Sequence, residues 1–368
     1  MADAIQRVTT GTGDPAWLVT GYRTVRSLLT DDRLGRTHPR PESASRFSRS
    51  AAFDQPRAAS DTERADHRRL RRTFTRSLSA SRMRALQPRV TQLVEDRLAA
   101  LERAERPADF HGVVSQPLPA MVICELLGVP DRHREQLVAW SGQAASRDGG
   151  ERAREAYVRL CRYMAVLAAR RGGPDDAADL LSALVREHTE RAAGLAAELF
   201  LAGHLTTSTA IDKALVLLLS RPDRLAGLPP EEHLGTLVEE LMRLPFPGGG
   251  RDTARLLPRY ANTGLTIAGQ PVDGGELVLL AVDEANLDPR EFSCPADLDP
   301  ARSPNPHLGF GHGPFSCVGA PLARLELRVL LGLLATRFPG LALAVPVGRL
   351  RPRTDLISGG LWELPVTW

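Results

Sequence analysis

The stretch Phe310-Gly-His-Gly-Pro-Phe-Ser-Cys-Val-Gly-Ala-Pro-Leu-Ala-Arg324 decides the reading of this chain. A single thiol, Cys317, sits in a loop whose glycines clear side chains from one approach. Pro321 then stands near the first turn of a helix, and Leu325, Val329 and Leu333 form an apolar stripe at four-residue spacing. The amides and dipole of a helix N-terminus favour an anion, so a thiolate is expected at neutral pH. A lone thiolate between glycines suits the axial position of a flat metallocofactor, where bulky side chains would clash, and soft sulfur fits haem iron. The rival reading, a dinucleotide-binding loop, fails: Gly311-x-Gly313-x-x ends on Ser316, and no clean strand precedes it. A bare cysteine beside a glycine turn is usually a buried structural thiol. Three flanking glycines and a helix start turn that balance toward a ligand.

The segment resembles the haem-ligand signature of the cytochrome P-450 superfamily, Phe-Gly-x-Gly-x-x-x-Cys-x-Gly. The match is complete at Phe310, Gly311, Gly313, Cys317 and Gly319, and Ala-Pro-Leu-Ala-Arg-Leu-Glu is the usual bacterial continuation. The resemblance implies haem b and O2, Cys317 as the proximal iron ligand, and Phe310, Gly311, Phe315, Gly319 and Ala323 beside the haem. A strongly donating thiolate favours O–O cleavage.

Other segments carry the resemblance further. His67 and Arg71 are four apart on one helix, like the family's His-x-x-x-Arg that grips a haem propionate. Arg259 fits its Arg-x-Ala-Thr-x-Asp segment. Where the family has a propionate-binding histidine two residues before the cysteine, this chain has Phe315, a lost contact worth ~1–3 kcal/mol if nothing replaces it. Glu240 and Arg243, three apart on a helix, match the structural Glu-x-x-Arg pair. The arginine that completes that network in the family corresponds to Asp297 here, so the network is expected to be incomplete or completed differently.

The helix around Ala202-Gly-His-Leu-Thr-Thr207 resembles the oxygen-side segment Ala-Gly-x-Glu/Asp-Thr. It places Ala202 and Gly203 against the haem and makes Thr206, with Thr207, the candidate catalytic hydroxyls. The usual acid is replaced by Leu205. Reduction of dioxygen needs protons, normally relayed by a carboxylic acid and an alcohol, and Leu205 cannot carry one.

Most of the remaining chain reads as helix, with apolar residues at three- and four-residue spacing between about Asp61 and Leu225. Strand signals cluster at residues 17–20, 265–282 and 355–368, where Ser-Gly-Gly separates two apolar runs expected to pair. The expected class is α+β, mostly α-helical, a cytochrome P-450 fold forming a single domain over residues 1–368. With 368 residues, 43% hydrophobic and 25% charged, the composition is that of a globular chain. A net charge of +3 argues for no nucleic-acid partner. Cys124, Cys161, Cys294 and Cys317 share no CxxC spacing, which makes a zinc ribbon and a disulfide framework both poor readings. Neither a signal peptide nor a membrane span is expected, which places the protein in the cytoplasm.

The resulting expectation is an enzyme that oxidises a secondary-metabolite intermediate, a small molecule or a peptide, with electrons from a ferredoxin-type donor. Exposed arginines between His67 and Arg84 would face that donor. Oxygen insertion, one-electron coupling of a bulky substrate, and a haem protein that only presents a substrate all remain open. Candidate substrate contacts are Ala202, Leu205, Phe246, Gly248 and Ile357. Pro247-Gly-Gly-Gly250 either widens the pocket or is a flexible connector.

Overall fold

A computed structural model describes residues 5–48, 50, 57–58, 63–147, 149–171, 179–221, 225, 228–247 and 255–368. Its helices longer than one turn, among the described residues, are α1 (Tyr22–Leu28), α2 (Glu63–Ser77), α3 (Ala80–Glu102), α4 (Pro117–Leu127), α5 (Arg134–Ala144), α6 (Gly150–Ala168), α7 (Leu180–His188), α8 (Ala192–Leu219), α9 (Leu234–Arg243) and α10 (Ala320–Arg337). Local chemistry sets several ends. Pro117 opens α4, and Gly128 closes it in the left-handed conformation at φ 65°, its N–H bonding the last carbonyls. Asp179 caps α7 by accepting from the Ser182 N–H at 2.7 Å.

Helix α8 is apolar nearly all round and is therefore buried, packed by α4, α6 and α7. Against the far side of the same core lie α9 and α10, with α3 along α10.

A five-stranded sheet abuts this body. Its strands are β1 (Ile5–Thr9), β2 (Pro15–Val19), β3 (Leu34–Gly35), β4 (Leu256–Ala261) and β5 (Leu277–Ala281), in the order β1-β2-β5-β4-β3. Only the β2–β5 pair is parallel. Trp17, Val19, Val278 and Leu280 face one apolar cluster, and Ala16, Leu18, Leu277 and Leu279 face another. Burial on both faces explains why β5 is an unbroken apolar run.

The mostly helical α+β class holds. The strand signals at 17–20 and 265–282 resolve into β2, a Leu265–Ile267/Gln270–Val272 hairpin and β5. The C-terminal pairing is corrected. Gly359 and Gly360 do turn, with φ of 65° and 106°, but Pro365–Thr367 pairs with Ala342–Leu343 and Ala108–Asp109 instead of the preceding run. Leu356 bridges to Ser146, so the first run is already occupied elsewhere. Among the described residues no helix is long and apolar enough to cross a membrane.

Candidate active site

The glycine loop folds back on itself through backbone hydrogen bonds from Cys317 N to Phe310 O (2.7 Å), Gly311 N to Leu308 O (2.7 Å) and Ser316 N to Gly313 O (3.1 Å). Gly313 sits at φ +70°, and a Cβ there would stand 2.7 Å from Thr30 Cγ2, so both backbone and space demand glycine. A Cβ on Gly319 would touch the Cys317 sulfur at 3.8 Å, so glycine keeps that flank clear. Cys317 stands just before α10, exposed as a residue although its sulfur is packed in by the surrounding loop.

The expected free thiolate is corrected. Burial of the sulfur pushes the Cys317 thiol up, and the N–H groups of Gly319 and Ala320, with Arg324 and Arg71, only partly oppose this. Desolvation outweighs the helix N-terminus, and a bound metal cation would supply the missing compensation.

Three basic side chains converge just ahead of the thiol. His67 Nε2 lies 3.0 Å from Pro314 O. One turn along α2, Arg71 donates to Ser316 O at 2.6 Å and to Ser316 Oγ at 2.8 Å. Arg259, on β4 and only 4% exposed, holds its guanidinium 5.3 Å from the Phe315 ring centroid. Residues distant in sequence are thus gathered at positions 314–316.

On α8 only two residues are exposed, Ala202 and Thr206, four apart and therefore on one face. Thr206 Oγ1 donates back to Ala202 O at 2.6 Å. Thr207 is buried. Leu205 is corrected as a substrate contact: it is 6% exposed and belongs to the apolar core, because it lies a hundred degrees round the helix from Thr206. At Gly203 a Cβ would meet Ile123 Cδ1 at 2.5 Å, so this glycine lets α4 pack closely. Phe246 is half-buried against the core and Ile357 is half-buried, its N–H on Ala145 O. Gly248 and the rest of the glycine run 248–250 lie outside the described residues.

Sequence reading missed what lies behind α8. His204 is buried between Ser141 Oγ (2.7 Å) and Gln116 O (3.0 Å), and burial pushes it down to about 4, leaving it neutral. Asp212 pairs with His111 at 2.7 Å. Each residue looked like an isolated polar interruption of an apolar helix, and no spacing rule links it to a partner on another element.

The Glu240–Arg243 pair is complete and fully buried, at 2.7 and 2.8 Å. Its expected gap at Asp297 is filled differently. Arg302 donates to both Glu240 oxygens at 3.0 and 3.1 Å, while Asp297 contributes only its backbone carbonyl, to Arg243. Next to it, Glu239 accepts a bidentate pair from Arg324 and a contact from His307, which holds its carboxyl down to about 2 against the opposing effect of burial. This second network ties α9 to the first turns of α10.

A thiol beside a cleared flank, a ring of basic groups and a helix face bearing a hydroxyl fit a haem whose carboxylates meet the basic groups. Fold and site together define a haem-thiolate type of oxidoreductase. Residues 233–341 match the sequence pattern of the family described as cytochrome P-450. The chain is 36% identical to pentalenolactone synthase of Streptomyces exfoliatus, over 99% of this chain and 93% of that protein. To mycinamicin IV hydroxylase/epoxidase of Micromonospora griseorubida it is 35% identical, over 100% of this chain and 93% of that protein. A substrate-free polyene macrolide antibiotic pimaricin epoxidase superposes with a TM-score of 0.87 at 36% identity, covering 100% of this chain and 93% of that one. The chain belongs to the cytochrome P-450 family. It is accordingly an enzyme of the monooxygenase class, and the family implies use of haem and dioxygen.

Proposed function

We propose that Cys317 ligates haem iron, that His67, Arg71 and Arg259 hold the haem carboxylates, and that the enzyme inserts oxygen into a natural-product intermediate. The observation that carries this reading is the convergence of the three basic side chains on residues 314–316, directly before Cys317. Pentalenolactone, mycinamicin IV and pimaricin, in the names of the similar proteins, support the substrate class. A ferredoxin-type electron donor fits the exposed arginines Arg68, Arg72, Arg82 and Arg84 along α2 and α3.

Haem, when bound, supplies the redox-active iron at which dioxygen is reduced. The chain's own residues do the rest. Basic side chains fix the carboxylate edge, and Gly319 keeps the flank of the sulfur open. Thr206 presents a hydroxyl on the exposed face of α8, oriented by its bond to Ala202 O. With Leu205 apolar, Thr206 and Thr207 are the proton-bearing groups this segment offers at those two positions. The absence of an acid at 205 also favours a second reading, one-electron oxidative coupling of a bulky substrate.

The test is spectroscopic. Reduced protein with carbon monoxide is expected to show the red-shifted Soret band of a thiolate haem, and Cys317→Ala is expected to abolish it. No such band in the parent would sink the reading. Mass spectrometry of products then separates the two chemistries: a gain of oxygen marks insertion, a loss of two hydrogens marks coupling. Thr206→Ala, which removes the hydroxyl from the exposed face of α8, is expected to send a larger share of electrons to peroxide over product. An unchanged peroxide leak counts against the proton-relay argument.

A further inference from the structure

We infer that Arg324 is a positioning residue that acts through Cys317: together with Glu239 it sets the reduction potential of the haem-thiolate centre. This deepens the haem reading above and rests on it. Arg324 stands seven residues after Cys317, near the start of α10. Its guanidinium lies 4.3 Å from the centroid of the Phe310 ring. Phe310 in turn accepts the Cys317 backbone N–H at 2.7 Å. A cation is therefore seated over the ring that backs the thiol loop.

Two anchors hold that cation in place. Glu239, on α9, accepts from Arg324 Nε at 2.6 Å and from Nη2 at 2.7 Å. His307 Nδ1 accepts the Gly309 N–H at 3.0 Å, which leaves its Nε2 to donate to Glu239 at 3.0 Å. Burial opposes ionisation of Glu239, yet Arg324 and His307 hold its carboxyl down to about 2, and Glu239 in turn pushes Arg324 up. Both groups are charged near neutral pH. Reduction adds an electron at a thiolate-bound iron, so a fixed cation favours the reduced form and a fixed anion opposes it. The two members of one pair thus pull the potential in opposite directions. Their side chains are 38% and 27% exposed, so water damps the effect without removing it.

Spectroelectrochemical titration of the haem-loaded protein, with no substrate and no turnover, separates this from a structural role. Arg324→Gln is expected to move the potential negative and Glu239→Gln to move it positive. Each shift should change the ratio of oxidised to reduced protein about 3- to 10-fold, or ~30–60 mV for one electron. Arg324→Lys keeps the charge but loses the planar fork, so it should hold the parent potential while unfolding at a lower temperature. A purely structural pair gives another pattern, because all three variants disturb the same bidentate contact and would loosen the centre in one direction. Shifts of the same sign in Arg324→Gln and Glu239→Gln, or no shift in either, overturn the inference and leave the haem reading intact. If Arg324→Gln holds no haem, a positive shift in Glu239→Gln with the parent potential in Arg324→Lys supports the inference, and any other result overturns it. A parent without the thiolate band under carbon monoxide overturns both.

Discussion

Arg243→Ala is expected to destabilise the protein by about 3–5 kcal/mol, the cost of removing one partner from a buried ionic network. The Arg243 side chain is 0% exposed and spends its donors fully. Two go to Glu240, and the others reach the carbonyls of Asn286 (2.8 Å), Pro295 (2.6 Å) and Asp297 (3.1 Å). Removing the guanidinium strands those carbonyls and leaves the Glu240 carboxylate with only Arg302, the Asp299 N–H and Asn305. The same guanidinium holds the loop that runs from β5 toward the cysteine, so haem loading should fall with stability. Arg243→Lys should rescue little, since one ammonium cannot reproduce a planar fork spread over four acceptors. Arg302→Ala should cost less, because the Glu240–Arg243 pair survives it. Urea unfolding of the three variants measures this order. A loss below ~1 kcal/mol for Arg243→Ala would mean that the network contributes little.

Glu326→Leu is expected to change stability in the opposite direction. Glu326 lies on α10, 0% exposed, and neither carboxyl oxygen has a hydrogen-bond partner among the described residues. Burial therefore pushes its carboxyl well above the usual range and favours the protonated form. The sign follows from proton linkage. Above pH ~4.5 the unfolded chain gives up a proton that the folded chain keeps, so folding loses stability as pH rises toward the folded value. Leucine removes both that penalty and the unpartnered carboxyl. The variant should be more stable than the parent by about 1–3 kcal/mol at pH 7.5. Below pH ~4.5 the gain should shrink to the smaller, pH-independent part left by a neutral unpaired carboxyl. Thermal midpoints of both proteins across that range check it. A parent as stable as the variant at pH 7.5 would show that Glu326 has a partner.

The two sites differ in how visible they were beforehand. Glu240 and Arg243 are three apart on one helix, so their pairing follows from helix geometry and was legible in the sequence. The same holds for the loop around Cys317, for His67 and Arg71 four apart, and for the apolar length of α8. Glu326 sits in an apolar helix and looks like one more charged residue on an amphipathic surface. Only tertiary packing turns it inward.

What the chain determined by itself was local: which segments are helical, where a thiol stands in a glycine loop, and which charged pairs share a turn. Those features depend on a few neighbouring residues, and short-range sterics and periodicity encode them directly. Tertiary structure decided what depends on two segments meeting. It put Arg302 where Asp297 was expected to fail, Arg324 against Glu239, and the last strand beside Ala108–Asp109 instead of its own preceding run. It also turned Leu205 into the core and made desolvation outweigh the helix N-terminus at Cys317. Direction of burial and long-range charge partnership are properties of closure between distant segments, and such closure leaves no periodic trace in the sequence.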